Sequence, residues 1–369
     1  MKYYIIAGER SGDLHASNLI KEIKQRDFNA QFRGMGGELS QQVGCELAIN
    51  YAELAFMGFL EVAVNLRTIF KALELCQKDI LAYKPDVVIL IDYGGFNLRM
   101  AKFLKKHGIK VFYYISPKIW AWNTGRVETI KKYVDKMFVT LPFEKDFYAQ
   151  FNYEVDYVGN PVSDEVNHFI PNEYFYQYNN LDIETPIIAI LPGSRKQEIE
   201  EMLHYMLSMT PAFMDFQLVI AAVPNLPKSY YEMFRRKGLI KIVYNQTYDL
   251  LSVAHAAIVT SGTATLETAL FEVPQVVCYK TSFLSYAIAK AVAKVKYISL
   301  PNLIADQPIV PELIQDNFIP YNVRNILTNI TRDEAVRAKQ KAGYKLLKDK
   351  IGKSGASART AELIVKYLK

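Results

Sequence analysis

Apolar positions fall into two alternating series along the chain. In the first, strand-sized runs rich in Val, Ile, Tyr and Phe occupy residues 2–7, 86–91, 110–115, 136–140 and 154–158. Between them the spacing changes to that of amphipathic helices, for example over 16–25 and 98–106. A second series follows, with strands expected near 187–191, 217–222, 240–244, 256–260 and 275–279. Helices are expected over 331–349 and 356–368, separated by Gly352-Lys353-Ser354-Gly355. Strand and helix alternating at this spacing imply βαβ units and parallel sheets. The polar stretch 171–186 reads as the connection between two such halves. The expected architecture is α/β, with two Rossmann-like domains facing a cleft and ligands at the carboxyl ends of the strands. The expected boundaries are 1–170 for an acceptor domain and 186–345 for a nucleotide-binding domain. For residues 346–369 the expectation is a C-terminal helix, with packing back on the first domain as one option.

Composition narrows the class. A chain of 369 residues exceeds one ordinary core, and half of its residues are hydrophobic, with 25 Tyr and 20 Phe, so disorder is excluded. The longest apolar runs, such as Val87-Val88-Ile89-Leu90-Ile91, are too short to span a bilayer. The N-terminal residues read as a first strand and not as a signal peptide. Three dispersed cysteines (Cys45, Cys76, Cys278) suggest neither a disulfide framework nor a zinc site and fit a reducing cytoplasm. The net charge of +6 is concentrated at residues 331–369, which hold 11 Lys/Arg against 4 Asp/Glu. That excess is either a solvated helix face or an attraction to anionic lipid or a phosphorylated substrate. No recognition motif accompanies it, so nucleic acid is not an expected partner.

Several familiar motifs fail. Gly352-Lys353-Ser354 has Leu347 where a phosphate loop needs its first Gly, and it follows a helix. Gly34-Met35-Gly36 has Leu39 where a dinucleotide fingerprint needs Gly or Ala. Neither Asp-x-Asp, His-Glu-x-x-His nor Cys-x-x-Cys occurs, so no metal or cofactor is expected.

Two strand–turn–helix joints carry the strongest chemical signal. One ends in Pro192-Gly193-Ser194-Arg195, the other in Thr260-Ser261-Gly262-Thr263 with Glu267 close behind. Each leaves free N–H groups and the positive end of a helix dipole at a sheet edge, where phosphate binds; turn chemistry alone is the bland alternative. Arg195 adds a fork of donors suited to phosphate oxygens, and Glu267 is placed to accept from ribose hydroxyls. In the first half, Asp92 ends the most apolar strand. It is either a general base at the cleft, or a residue that caps the helix expected near Asn97 or stabilises the glycine turn. Glu9 and Ser11, in the turn after the first strand, lie at the same rim. So does Ser116-Pro117-Lys118-Ile119-Trp120-Ala121-Trp122, whose rings either stack on a sugar or pack.

The chain resembles the lipid-A-disaccharide synthases, inverting glycosyltransferases of the GT-B type. The likeness runs from Ala7-Gly8-Glu9-x-Ser11-Gly12-Asp13 through Met57-Gly58-x-x-Glu61-Val62, Lys84-Pro85-Asp86-Val87 and Leu141-Pro142-Phe143-Glu144 to Ser299-Leu300-Pro301-Asn302-Leu303, and it includes both joints. It implies transfer from a UDP-2,3-diacylglucosamine to the 6-hydroxyl of 2,3-diacylglucosamine 1-phosphate. The products would be a β-1,6-linked lipid A disaccharide 1-phosphate and UDP. Asp92 matches the family's catalytic aspartate, with Glu9 and Ser11 beside it. Arg195 and Asn302 match positions tied to activity. Met57, Ser116 and Trp120 join Asn302 as substrate-side candidates. The resemblance also implies action at the inner face of the cytoplasmic membrane and leaves room for a homodimer. Gly94, Gly95 and Asn160 depart from the family pattern, where Pro, an often acidic residue and His are usual. A UDP-sugar epimerase and a non-enzymatic nucleotide-sugar binding protein are the alternatives. A lipid-facing surface is expected on the helix 59–76, where Leu60, Val64 and Leu75 lie outside the apolar band formed by Phe59, Val62, Leu66, Ile69, Phe70 and Leu73.

Overall fold

The computed structural model describes residues 1–52, 62–193, 196–223, 226–234 and 240–369. It divides into two units, residues 1–161 with 353–369, and residues 162–352. Both are Rossmann-like, with helices on the two faces of a parallel sheet.

The first unit carries β1 (Lys2–Ala7), β2 (Gln31–Gly36), β3 (Cys45–Asn50), β4 (Val87–Ile91), β5 (Lys110–Tyr114), β6 (Lys136–Val139) and β7 (Asp156–Tyr157). Among the described residues these form one sheet in the order β3-β2-β1-β4-β5-β6-β7, every pair parallel. A central parallel strand is covered on both faces, which is why β4 is a continuous Val-Val-Ile-Leu-Ile run, buried throughout. Alternate residues of β1 serve the two cores. Tyr4 and Ile6 pack with Leu73, Cys76 and Met100, and Tyr3, Ile5 and Ala7 with Leu19, Ile20 and Ile364.

The helix Ala356–Leu368 covers that second face beside the helix Arg10–Lys24. Its fully buried Ala361 and Ile364 explain why the chain returns to the first unit at its last helix, a buried Ile stabilising by about 1.5–3 kcal/mol.

The second unit carries β8 (Ile187–Leu191), β9 (Gln217–Ala222), β10 (Ile240–Tyr244), β11 (Ala254–Thr260), β12 (Gln275–Tyr279) and β13 (Glu312–Ile314). Among the described residues its sheet runs β10-β9-β8-β11-β12-β13, again all parallel. In both units the strand order reverses beside the unit's first strand, between β1 and β4 and between β8 and β11. Those switch points are where ligands bind in open α/β sheets.

Two sequence expectations change. The polar stretch 171–186 lies inside the second unit, because Phe175 and Leu181 are buried against Ile187, Ala189 and Val219. Strands β2, β3 and β13 escape a reading of apolar runs. β2 reads Gln-Phe-Arg-Gly-Met-Gly, and its Gly34 is required by proximity, since a Cβ there would overlap the Ile5 carbonyl oxygen on β1.

Candidate active site

At the β1/β4 switch point the backbone leaves β4 through two successive left-handed residues, Asp92 (φ 46°) and Tyr93 (φ 46°). Such residues cost about 1–3 kcal/mol each and persist only where their surroundings hold them. Buried Asn97 donates to the Ile91 carbonyl (3.1 Å) and the Asp92 carbonyl (2.8 Å), and the buried Tyr113 hydroxyl donates to the Asp92 carbonyl (2.5 Å). The Asp92 carbonyl is thus fixed from beneath by two side chains. Asp92 lines a small recess together with Gly8, Glu9, Ser11, Gly12, Ile91 and Tyr93. Burial raises its pKa above the ordinary carboxyl value. Lys118 pulls the other way and Glu9 adds to the rise. The helix begins at Gly94 with Tyr93 as its N-cap and no side-chain cap, so the capping alternative for Asp92 is not what the structure shows. Gly94 lets the rim close, since a Cβ there would sit 2.7 Å from Pro117 Cβ.

Glu9 and Ser11 are exposed at the start of the helix Arg10–Lys24. Asp13, in the same turn, is structural: its buried carboxylate accepts from the Gly37 N–H (2.8 Å), the Ser40 N–H (3.2 Å) and the Leu39 N–H (3.1 Å).

β5 also ends in strain, because the β-branched Ile115 has φ 65°. The rim segment that follows is bonded inward. Ser116 Oγ lies 2.7 Å from the Tyr148 hydroxyl. Trp120 is buried, donates from Nε1 to Glu144 Oε1 (3.1 Å) and packs edge-on against Phe143. For Trp120 the packing reading therefore holds, and Trp122 is the exposed ring, with Arg126 over it at 4.9 Å. Glu144 is buried and also accepts from the Leu141 N–H (2.9 Å) and the Thr140 N–H (3.2 Å). Burial pushes it up to about 7 against the pull of those donors. Asn160 donates to the Thr140 carbonyl (3.1 Å) and is buried in the same network.

In the second unit, Gly193 leaves β8 at φ 106°, a conformation suited to glycine. Ser194, Arg195 and Met57 lie outside the described residues, as do 59–61 of the expected lipid-facing helix. At the neighbouring switch strand, β11 runs into Ser261-Gly262-Thr263. Gly262 is the N-cap of the helix Thr263–Leu270 and no side chain caps it, so its first amides present donors at an exposed edge. Ser261 Oγ is turned aside and donates to the Ile298 carbonyl (2.9 Å). Glu267 follows on the same helix, 3.3 Å from the Tyr248 hydroxyl.

Asn302 departs from its expected role as a substrate contact. It is buried, and its amide donates to the Val310 carbonyl (2.9 Å) and Glu312 Oε1 (2.8 Å) while accepting from the Val310 N–H (2.9 Å). Its side chain pins the loop before β13. The acceptor Glu312 also receives the Ser299 hydroxyl (2.6 Å) and N–H (3.0 Å). Among the described residues no group of three or more His, Cys, Asp or Glu is arranged to hold a metal ion.

Two Rossmann-like parallel-sheet units, each with polar groups at its switch point, define the GT-B class of glycosyltransferases and related epimerases. Solved structures share the fold. A UDP-GlcNAc 2-epimerase from Neisseria meningitidis bound to UDP-GlcNAc matches with TM-score 0.71 at 13% identity, covering 100% of this chain and 99% of its own. The calicheamicin glycosyltransferase CalG4 matches with TM-score 0.65 at 14% identity, over 100% and 98%. The lipid-A-disaccharide synthetase family profile matches residues 3–366. Lipid-A-disaccharide synthases of Syntrophus aciditrophicus and Geobacter sulfurreducens are 38% and 35% identical, each over 99% of this chain and 97% and 96% of their own. The chain belongs to the lipid-A-disaccharide synthase family and is a glycosyltransferase of lipid A biosynthesis.

Proposed function

We propose that the chain joins UDP-2,3-diacylglucosamine to 2,3-diacylglucosamine 1-phosphate, giving the β-1,6-linked disaccharide 1-phosphate and UDP. Asp92 takes the proton of the acceptor 6-hydroxyl as that oxygen attacks the anomeric carbon. The bond from that carbon to the UDP oxygen breaks on the opposite face, inverting the centre. Negative charge then grows on the diphosphate. Arg195, the amides at 262–264 and the dipole of the helix Thr263–Leu270 stabilise it, while the Ser261 N–H is held by the Cys278 carbonyl, and Glu267 holds the ribose. The observation that carries this reading is Asp92, held at a switch point by Asn97 and Tyr113 with its pKa raised by burial.

The acylated substrates require an apolar surface, and no described helix is long and apolar enough to cross a membrane. The helix Val62–Tyr83 buries Leu73 and Cys76 while leaving Phe70 and Leu75 exposed (56% and 55%). The proposal places this helix against the inner face of the cytoplasmic membrane, with protein and bilayer associating peripherally.

The deciding assay incubates the protein with both acylated glucosamine substrates and weighs the products by mass spectrometry. A disaccharide 1-phosphate with stoichiometric UDP is expected. An isomerised UDP-sugar formed without acceptor would establish the epimerase instead, and no turnover at all would leave a binding protein.

A further inference from the structure

The first unit sets two uncompensated positive charges around Asp92. Lys118 is exposed and stands at the N-cap of the short helix Ile119–Trp122. Arg126 closes the turn Thr124–Arg126 that follows, and its guanidinium lies over the exposed Trp122 ring at 4.9 Å. Among the described residues neither side chain has a hydrogen-bond or ion-pair partner. Other arginines of the unit are bound, Arg26 to Glu22 (2.6 Å) and Arg33 to Asp79 (2.8 Å). Glu128, the acidic residue nearest Arg126 along the chain, pairs with Lys131 (3.8 Å).

Both charges are felt at the candidate base. Lys118 opposes the rise that burial gives the Asp92 and Glu144 carboxyls. Arg126 opposes the burial-driven rise of Tyr113, whose hydroxyl holds the Asp92 carbonyl. Pro117, next to Lys118, is pressed against the turn after Asp92, where a Cβ on Gly94 would sit 2.7 Å from Pro117 Cβ. Cations beside a base favour its ionised form and so weaken it. The arrangement is balanced once a substrate brings an anion. Stacking on Trp122 holds the guanidinium by one face and leaves its N–H edges open, which suits a phosphate.

Sugar geometry says which anion. In glucosamine 1-phosphate, C1 and C5 flank the ring oxygen, and C5 carries C6. Phosphate and 6-hydroxyl therefore share one edge of the ring. An acceptor with its 6-hydroxyl on Asp92 brings its phosphate to the surroundings of that residue. The donor's diphosphate has its own partners at the joints of the second unit.

We propose that Lys118 and Arg126, with Trp122 as the stacking platform, form the subsite for the acceptor's phosphate monoester and select the phosphorylated sugar over the bare one. This rests on the reading of Asp92 as the base for the acceptor hydroxyl. An anionic bilayer would use the same charges, but it would not need them beside a buried carboxyl.

The test measures kcat/KM for 2,3-diacylglucosamine 1-phosphate and for 2,3-diacylglucosamine lacking the phosphate. Both are assayed at saturating UDP-2,3-diacylglucosamine, on the pH plateau of each variant. The ratio between the two acceptors cancels changes in the fold or in the base. In the wild type it should be on the order of 100-fold, as for two charge-assisted contacts. Lys118→Met and Arg126→Met should each lower it by roughly tenfold, through KM for the phosphorylated acceptor, with the UDP affinity of the wild type by calorimetry. Arg126→Lys keeps the charge without the fork and should fall between. A wild-type ratio in both Met variants overturns the subsite. So does weaker flotation with anionic liposomes at an unchanged ratio, which assigns the pair to the membrane. A wild type that joins neither acceptor to the donor overturns the transfer reading, and the subsite with it.

Discussion

The Tyr93 ring occupies the space into which Gly8 would project a side chain. A Cβ on Gly8 would overlap ring atoms of Tyr93. The end of β1 and the end of β4 are thereby packed together, and Asp92 immediately precedes Tyr93. Gly8→Ala should push Tyr93 away and move Asp92 with it. Turnover is expected to fall by roughly 10–100-fold, the scale of an ångström-sized misplacement of a catalytic group, with UDP affinity unchanged. Steady-state kinetics alongside UDP calorimetry would show it; an equal loss in both would mean a wider disruption of the fold.

Asp92→Asn should leave the fold and UDP affinity intact and lower turnover by roughly 100-fold or more. The base works only when ionised, and burial raises its pKa, so activity should climb with pH through a value above the ordinary carboxyl range. Lys118 holds that pKa down. Lys118→Met should therefore move the acid limb of the kcat/KM profile to higher pH. A limb that stays in place would remove Asp92 as its origin.

Glu144 makes a stability prediction with a definite sign. Its ordinary value of 4.5 is raised to about 7 in the fold, so folding favours its protonated form. That contribution is fully present below about 4.5 and is lost as pH rises through about 7, some 3 kcal/mol over the window. Urea titrations should find the wild type losing more stability than Glu144→Gln across pH 4.5–7. Parallel curves for the two proteins would contradict the assignment.

Asn302→Ala should act through structure, not through substrate contact. It strips the Val310 N–H and carbonyl of their buried partner, a loss of roughly 2–4 kcal/mol. The expected result is a lower melting temperature together with reduced activity. Full stability with lost activity would return Asn302 to the substrate side.

Much of this was legible in the sequence because a βαβ fold writes its cores as apolar runs. β4, β8 and β11 are nearly pure Val, Ile, Ala and Leu, and the residues just past them, Asp92, Gly193 and Ser261, lie where strand order reverses. β2 was hidden because the close passage of β1 demands glycine where a strand would show a branched residue. Asn302 stands among the substrate-side candidates, and Trp120 stays open between stacking and packing, because sequence shows that a side chain is polar or aromatic, not which way it faces. Asn97 and Tyr113 were missed for the same reason: each reaches Asp92 through backbone carbonyls.

Arg359 on the last helix donates to the Val158 carbonyl (2.8 Å), the Ser354 carbonyl (2.7 Å) and the Lys353 carbonyl (2.8 Å), and Gly159 has no side chain in its way. Residues 353–369 are translated after the whole second unit, yet they cover one face of the first sheet. While the polypeptide is still on the ribosome, the helix Arg10–Lys24 covers its part of that face, and the part belonging to Ala361, Ile364 and Val365 stays open. The second unit, continuous in sequence, has its own residues complete before the first does. The order in which the units become complete is therefore inverted relative to the order in which they begin, and the open strip on the N-terminal unit persists for the whole synthesis of the second.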